Sequence, residues 1–381
     1  MRREWSSRRA AVTLSALLIV AAVAITAASA AFASNDKAAA KPDIAYAKAQ
    51  IAKFSKVPGF VPPGPAFDAS KLKGKTFFEI PVTSAIPFVT NVESGMKAVA
   101  DQYGIKYVGN PNQGQPTQWV QAMNLAIARK ADGISLFGPN PKQLQPQILS
   151  AKRAGIPVVT AHLFDTTDPQ PPNVTSDFPA QYSKIARLEV DWVIQDTGGK
   201  ANVVIINSAD YPPSNGIVAT MKDEFKRRCG PSCTFSVINV PLNNWATGLQ
   251  PATQSALAKN PNVNYIIPIY DGMMQWVAPA IITAGRVGKV HVATFNATPF
   301  VLTMMKKQDI VRCDIGESPE LGWAMMDLNM RVMLGLRAPR PEPYGIRVFT
   351  KKNVAQAGSP PSYTKGYGSA YVAGYHKLWA G

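Results

Sequence analysis

Hydrophobic and polar positions follow two alternating periods along most of the chain. Short apolar runs predict β-strands, and between them apolar residues recur at the three- and four-residue spacing of amphipathic helices. In the first half the pattern predicts strands at 77–82, 105–108, 133–137 and 156–161. Helices are predicted between them at 90–103, 117–130 and 141–154. This βαβαβαβ order indicates a parallel sheet with helices on both faces.

The same rhythm resumes after a loop, rich in Pro, Thr and Asp, that is predicted over 163–180. Helices are then predicted at 181–195, 215–228, 246–259 and 273–285, and strands at 201–207, 235–240, 265–269 and 290–295. The last predicted elements are a helix at 299–307, a strand at 310–315, a helix at 319–335 and a strand at 347–350. The chain is therefore predicted to be an α/β protein with two halves of similar size.

Both ends of the chain depart from this pattern. Four Arg in residues 1–9 precede an uncharged run over 10–34, which contains the small-residue motif Ala31-Phe32-Ala33. A basic head, an apolar middle and an A-x-A site are typical of a secretory signal peptide, here 1–33 with cleavage after Ala33. A membrane anchor is the alternative, since the run is long enough to span a bilayer. Whether export follows the general or the twin-arginine route stays open.

Two further segments flank the periodic region. Residues 34–75 are rich in Ala, Lys and Pro and predict an N-terminal extension with a short helix over 41–56. Residues 354–381 hold many Gly, Pro and Tyr and form an aromatic-rich tail without periodicity. Two loop-forming clusters, 57–59 and 62–65, interrupt the extension.

The charge balance narrows the classes of partner. The chain has 40 Lys+Arg against 24 Asp+Glu, a formal net charge of +16. The basic residues are scattered, whereas nucleic-acid binding calls for a dense patch or a reading module. A basic exterior is the favoured interpretation, and we expect no nucleic-acid partner.

Catalytic and metal signatures are absent from the sequence. The three His, at 162, 291 and 376, share no helix face with another ligand, so a metal site is not predicted. There is no G-x-S-x-G motif. Gly74-Lys75-Thr76 resembles the end of a P-loop, but it precedes a strand where a P-loop follows one. We predict no catalytic residue and no cofactor, and an enzyme is disfavoured.

The three cysteines fall into a close pair and a single residue. Cys229 and Cys233 are separated by Gly-Pro-Ser and, in an oxidising compartment, favour a structural disulfide. A metal or redox pair is the alternative, although the spacing is not C-x-x-C. Cys313 lies in an apolar strand and is predicted to be a buried free thiol.

Several motifs together resemble one family. Ile86-Pro87-Phe88-Val89 follows the first strand, Gln118 lies in the second helix, and the runs 130–134 and 154–159 read KADGI and AGIPVV. With Trp245, Tyr270-Asp271 and Phe295-Asn296 in the second half, they resemble the type I periplasmic substrate-binding proteins of the ribose- and galactose-binding group. The resemblance covers about residues 76–350.

The resemblance implies a fold and a division of the chain. It implies two doubly wound parallel-sheet lobes joined by a three-strand hinge, with the ligand between them. The N-lobe would comprise 76–175, completed by about 317–344. The C-lobe would comprise 176–316, completed by about 345–353.

The resemblance also implies ligand-binding residues at the carboxyl ends of strands. Phe88 would stack on one face of the ligand and Trp245 would close over it from the other lobe. The remaining contacts would come from the polar or aromatic side chains of His162, Asn215, Tyr270, Asp271 and Asn296. Each of these residues has a purely structural role as its alternative: the aromatic residues could belong to the core, His162 could be a structural histidine, and Asp271 and Asn296 could be helix caps.

One departure from the family bears on the ligand. The family commonly carries an Asp-Arg or Asp-Asn pair after the fourth strand to bind sugar hydroxyls, and here the pair is His162-Leu163. The resemblance implies a sugar-type ligand, and this departure makes a less hydroxylated or aromatic solute the alternative to an ordinary pentose or hexose.

The family implies a monomeric periplasmic protein that delivers a small-molecule solute to the membrane permease of an ABC importer. A binding protein that serves a sensor or chemoreceptor is the alternative, and an exported enzyme is a further one.

Overall fold

The computed structural model describes residues 41–337, 340 and 344–381. The expected signal peptide, its cleavage site at Ala33 and residues 34–40 of the extension lie outside this range. The described chain begins with the extension, which contains helix α1 (Ile44–Phe54). Asp43 caps this helix, because its carboxylate accepts a hydrogen bond from the Tyr46 amide.

The first sheet is parallel throughout. Its strands are β1 (Thr76–Pro81), β2 (Lys106–Gly109), β3 (Gly133–Phe137), β4 (Val158–Asp165) and β5 (Ser176–Ala180), in the spatial order β2-β1-β3-β4-β5. The helices that connect the first four are α2 (Pro87–Gln102), α3 (Pro116–Ala128) and α4 (Gln145–Arg153). All five residues of β3 are buried, as expected for a central parallel strand covered on both faces.

The second sheet is parallel except at one edge. It contains β6 (Asn202–Asn207), β7 (Thr234–Asn239), β8 (Tyr265–Pro268), β9 (His291–Phe295), β10 (Val311–Glu317) and β11 (Ile346–Thr350), in the order β11-β10-β9-β8-β6-β7. Only β11 runs antiparallel to its neighbour. The accompanying helices are α5 (Tyr182–Asp196), α6 (Ser214–Arg228), α7 (Trp245–Lys259), α8 (Met274–Thr283), α9 (Pro299–Lys307) and α10 (Glu320–Met333).

The two sheets form two lobes, and the chain passes between them three times. It leaves the first sheet after β5, returns from β10 to α10, which packs against α2 and β3, and enters the second sheet again with β11. The predicted fold class, two doubly wound lobes joined by a three-segment hinge, is confirmed. Close packing of α10 on α2 depends on Gly322, where a Cβ would lie 2.8 Å from the Val92 carbonyl oxygen.

Strand β5 lies inside the segment that the sequence pattern predicts as a loop. Its residues, Ser-Asp-Phe-Pro-Ala, do not alternate and include Pro179. They are nevertheless all buried, and β5 occupies the edge of the first sheet, where a proline is tolerated. The first sheet therefore extends to Ala180, beyond the expected lobe boundary at 175.

The extension and the tail pack on the body of the protein. Helix α1 packs on α5, and the tail ends in helix α11 (Ala370–Trp379), whose Trp379 stacks on Trp323 of α10 at 5.6 Å. The two segments also contact each other, because the Phe67 amide donates to the Leu378 carbonyl at 2.9 Å.

Arg347 of β11 connects three segments of the chain, and we call it the clasp residue. It is 3% exposed. Its Nε donates to the Ser55 carbonyl in the extension at 3.0 Å. Its other two nitrogens donate to the Gly366 carbonyl and to the Gln356 side chain, both in the tail. One guanidinium therefore joins a hinge strand, the extension and the tail.

The cysteines are arranged as the sequence predicts. Cys229 and Cys233 form a disulfide, with their Cα atoms 5.6 Å apart. Cys313 is a buried free thiol in β10, and burial raises its pKa. Within 41–337 and 344–381, no helix is both long and apolar enough to cross a bilayer.

Candidate functional site

A cavity lies between the two lobes. Its walls come from residues at or just beyond the carboxyl ends of strands in both sheets, where open α/β sheets place their binding sites. The ring-bearing residues of the wall are Phe88, Phe137, His162, Tyr182, Tyr211, Trp245 and Tyr270. Among the residues that the structure describes, no Asp, Glu, Lys or Arg side chain lines the cavity.

The N-lobe wall is built from Phe88, Phe137 and His162. Phe88 lies in the first turn of α2, and its ring is 5.2 Å from the imidazole and 6.4 Å from the Phe137 ring, centre to centre. Phe88 also contacts the tail, through an edge-on contact with Tyr363 at 6.3 Å. The Phe88 ring, which the sequence predicts to stack on the ligand, is therefore in contact with three other rings.

His162 is oriented by bonds to both of its ring nitrogens. Nε2 lies 3.0 Å from each carboxylate oxygen of Glu317, at the end of β10, and Nδ1 lies 3.1 Å from the Tyr182 hydroxyl. That hydroxyl donates to the His162 carbonyl at 2.7 Å. Tyr344 donates to the same Glu317 carboxylate. The imidazole therefore presents a ring to the cavity, and its hydrogen-bonding atoms are already used within the protein.

The backbone at His162 also departs from a regular strand. Its φ is +55°, in the left-handed region. The pairing of β4 with β5 shifts register between Ala161 and Asp165, which places an irregularity at this residue. The irregularity turns the side chain toward the cleft and toward Glu317.

The C-lobe wall is built from Tyr211, Trp245 and Tyr270. Trp245 begins α7, and its indole N–H donates to the Ser208 hydroxyl at 2.7 Å. The Tyr270 ring lies 6.3 Å from the Trp245 ring and 5.9 Å from the Tyr211 ring. Burial raises the pKa of Tyr270 well above its usual value, so its phenol stays neutral and able to donate.

Asn296 is the amide of the cavity wall. It follows β9 with a φ of 115°, is 2% exposed, and its Oδ1 has no hydrogen-bond partner within the described chain. The Tyr270 hydroxyl is likewise buried with no partner within hydrogen-bond distance there, although the hydroxyls of Ser214 and Tyr182 lie beside it. The Tyr211 hydroxyl also belongs to the wall, so the cavity offers a solute these polar side-chain groups as well as ring surfaces.

Two of the predicted ligand-binding side chains do not line the cavity. Asp271 is fully buried and accepts hydrogen bonds from the Thr298 amide and hydroxyl at 2.7 and 2.5 Å, so it fixes the loop after β9. Burial raises its pKa. Asn215 is exposed in α6, and its Oδ1 accepts from the Asn207 amide at 3.0 Å. Both side chains hold the structure around the site.

The sequence reasoning missed three ring-bearing wall residues and one supporting residue. Phe137 is the last residue of β3, Tyr182 is the first of α5, and Tyr211 lies in the loop after β6. The strand-end rule that selected Phe88 could have selected Phe137 and Tyr211. Glu317 carries no such signal, because its role depends on a contact with His162, 155 positions away.

The cavity opens into a wider and more polar cleft. This outer cleft shares Val82, Tyr211 and Trp245 with the cavity. Amide side chains such as Gln113 and Asn140 line it. No group of three or more His, Cys, Asp or Glu that could hold a metal ion occurs in the part of the chain that the structure describes.

Solved structures with the same fold come from several bacteria. A sugar ABC transporter subunit from Rhodobacter sphaeroides is 19% identical, with a TM-score of 0.65 over 74% of this chain and 100% of that one. A solute-binding protein from Actinobacillus succinogenes, solved with D-allose, is 18% identical, with a TM-score of 0.66 over 74% and 99%. A 5-methylthioribose-binding protein from Thermotoga lettingae is 18% identical, with a TM-score of 0.67 over 81% and 95%.

Sequence comparisons give a family but no individual relative. A search of curated proteins finds no match. Residues 78–336, which span most of both lobes and contain the whole cavity wall, match the model of the periplasmic binding protein domain. The chain is therefore a member of the periplasmic binding protein family.

Proposed function

We propose that this protein captures a small solute between its two lobes and delivers it to the membrane permease of an ABC importer. The observation that carries the proposal is the aromatic cavity at the strand ends, with walls from both lobes. Proteins with the same fold include a sugar ABC transporter subunit and two proteins whose structures were solved with D-allose or 5-methylthioribose.

The solute contacts would be made by Phe88, His162, Trp245, Tyr270 and Asn296. The first four supply ring surfaces and Asn296 supplies an amide. Ring surfaces suit a solute that is aromatic or less hydroxylated than a sugar. Asn215 and Asp271 would act indirectly, by holding the loops beside the cavity.

Capture would work through closure of the lobes. A solute that contacts both walls stabilises the closed arrangement, because its differential affinity for the two arrangements shifts the equilibrium between them. Three chain crossings allow rotation of one lobe on the other while preventing their separation. The permease would then recognise the closed, loaded form.

The rest of the proposal concerns setting and partners. The protein would work in the periplasm as a monomer, after removal of residues 1–33, and without a cofactor or nucleic acid. Both nitrogens of His162 and Oδ2 of Asp271 are engaged within the protein, which supports a proposal of binding without catalysis.

The test combines a ligand screen with scattering. The mature protein is screened by thermal shift against sugars, polyols and aromatic compounds, since a ligand at concentration [L] stabilises by RT ln(1 + [L]/Kd). The strongest hit is then added in small-angle scattering, where closure is expected to reduce the radius of gyration. No hit across the panel, or an unchanged radius at saturation, would contradict capture by closure.

A matched pair of tryptophan variants locates the site. Trp245→Ala removes a cavity wall and is expected to weaken binding of the hit at least tenfold. Trp276→Ala removes a half-buried ring that lines only the outer cleft, and it is expected to leave affinity within about twofold. Equal effects of the two substitutions would contradict the placement.

A further inference from the structure

We infer that the solute is an uncharged aromatic molecule with a single hydroxyl, of the phenol or aryl alcohol class, and that Tyr270 and Asn296 bind this hydroxyl. The inference rests on the proposed function and names the ligand class of the same site. It follows from three properties of the cavity: its charge, its unpartnered polar atoms and its ring surfaces.

The cavity gives no counter-charge to an ionised solute. Its lining contains no acidic or basic side chain other than His162, whose two nitrogens are bound by Glu317 and Tyr182. Asp271, which follows Tyr270 in the chain, does not line the cavity; its Oδ2 accepts from Thr298 and its Oδ1 is buried without a partner among the described residues. Desolvating a charge without a partner is strongly unfavourable. Amino acids, carboxylates and phosphorylated compounds are therefore excluded.

The unpartnered polar atoms limit how many hydroxyls a solute can bring. In the cavity wall the buried atoms of this kind are the Tyr270 hydroxyl and Asn296 Oδ1, and the Tyr211 hydroxyl is a further polar group of the same wall. A sugar brings several hydroxyls, and each one desolvated without a partner costs about 1–3 kcal/mol. A single hydroxyl, by contrast, accepts from the tyrosine and donates to the amide oxygen, so that all three groups are satisfied.

Strand register places the two polar residues side by side. Strands β8 and β9 are parallel neighbours, with Tyr265 opposite His291. Tyr270 and Asn296 each follow these paired residues by five positions, so they leave the sheet at equivalent points of adjacent strands. Neighbouring strands are about 4.8 Å apart, a separation that one hydroxyl group can bridge.

The remaining wall favours a flat apolar ring. Phe88 and Phe137 face the cavity from one lobe, and Trp245 and Tyr270 face it from the other. Aromatic rings pack on one another in offset or edge-on arrangements with favourable energy beyond area burial. A quaternary ammonium also binds aromatic walls, but it leaves the Tyr270 hydroxyl and Asn296 Oδ1 without partners.

The experiment measures the affinities of five probes for the mature protein by calorimetry. The probes are p-cresol, toluene, benzoate, tetramethylammonium and D-ribose. We expect p-cresol to bind at least tenfold more tightly than toluene, which lacks the hydroxyl, and more tightly than the two ions and the sugar. Tightest binding of D-ribose, tetramethylammonium or benzoate would overturn the inference, as would equal binding of toluene and p-cresol.

Substitutions assign the hydroxyl contact to its residues. Tyr270→Phe and Asn296→Ala are each expected to weaken the affinity for p-cresol about tenfold. Both variants are expected to keep the affinity for toluene within about twofold of the wild-type value. The control is Tyr107→Phe, which removes another buried, unpartnered hydroxyl outside the cavity and is expected to change neither affinity. An unchanged preference for p-cresol in both cavity variants would refute the assignment.

The two proposals fail in different ways. Closure upon D-ribose with no p-cresol binding would overturn the ligand class and leave solute capture standing. Absence of binding by all five probes would also overturn the ligand class, and the broader thermal-shift screen then decides solute capture independently.

Discussion

The attachment of the C-terminal helix can be tested with a pair of matched tryptophan substitutions. Trp379 is 1% exposed, and its indole N–H donates to the carboxylate of Asp327 at 2.7 Å. Trp192 is 8% exposed, and its N–H donates to the neutral hydroxyl of Tyr265 at 2.8 Å. Replacing each with Phe removes the same atoms from a buried site. The two variants therefore differ chiefly in the charge of the lost acceptor.

The difference in free energy of unfolding can be estimated from the two acceptors. A hydrogen bond to a charged group contributes about 1.5–3 kcal/mol, and a neutral one about 0.5–1.5 kcal/mol. Trp379→Phe is therefore expected to destabilise by about 1 kcal/mol more than Trp192→Phe. Urea unfolding followed by far-UV circular dichroism measures both, without relying on the fluorescence of the altered residue.

The pH dependence gives the experiment a second readout. Burial raises the pKa of Asp327, while its bonds to Arg331 and Trp379 oppose the rise. Removing the indole donor raises this pKa further, and a raised carboxyl pKa means stability that is lost as the pH increases. The destabilisation by Trp379→Phe should therefore be larger at pH 7.5 than at pH 5. Equal destabilisation by the two variants, or a larger loss at pH 5, would refute the reasoning.

Three further predictions concern other parts of the chain. Burial raises the pKa of Glu320 to about 7, so wild-type stability should fall as the pH rises from 5 to 8. Glu320→Gln should flatten that fall by up to about 3 kcal/mol in urea unfolding, and an unchanged slope would contradict it. Peptide mapping of exported protein without reduction should find Cys229 linked to Cys233, and alkylation of both as free thiols would exclude the bond. The intact mass of exported protein should correspond to a chain that begins at Ser34, whereas a full-length membrane-embedded chain would disprove cleavage.

The sequence predicts the fold correctly wherever the buried positions of an element repeat with a simple period. Strand β3 is predicted at 133–137 and observed as Gly133–Phe137, because a fully buried parallel strand reads as one apolar run. Strand β5 and helix α11 were missed. The first contains Ser, Asp and Pro at a sheet edge, and the second is rich in aromatic residues on several faces. Tertiary packing decides both elements.

The site was accessible only in part, because strand ends can be predicted and side-chain directions cannot. Phe88, Trp245 and Asn296 follow strands and reach the cavity wall, while Asp271, adjacent to Tyr270, turns to Thr298. Tyr270 and Asp271 are adjacent in the chain, yet the first lines the cavity and the second fixes a neighbouring loop. The bonding of His162 to Glu317 joins positions 155 apart, and no local pattern encodes such a pairing.

The clasp residue has a consequence for when the molecule can finish folding. Arg347 holds Ser55, 292 positions earlier, and also two groups of the tail. Synthesis proceeds from the N-terminus, so Ser55 is made 292 residues before Arg347, and the extension lacks these partners in the meantime. Packing of the extension therefore depends on residues that are made long after it. A product that terminates early lacks both the clasp and the tail, and leaves apolar residues of the extension such as Phe60, which packs on Tyr375, exposed to proteolysis.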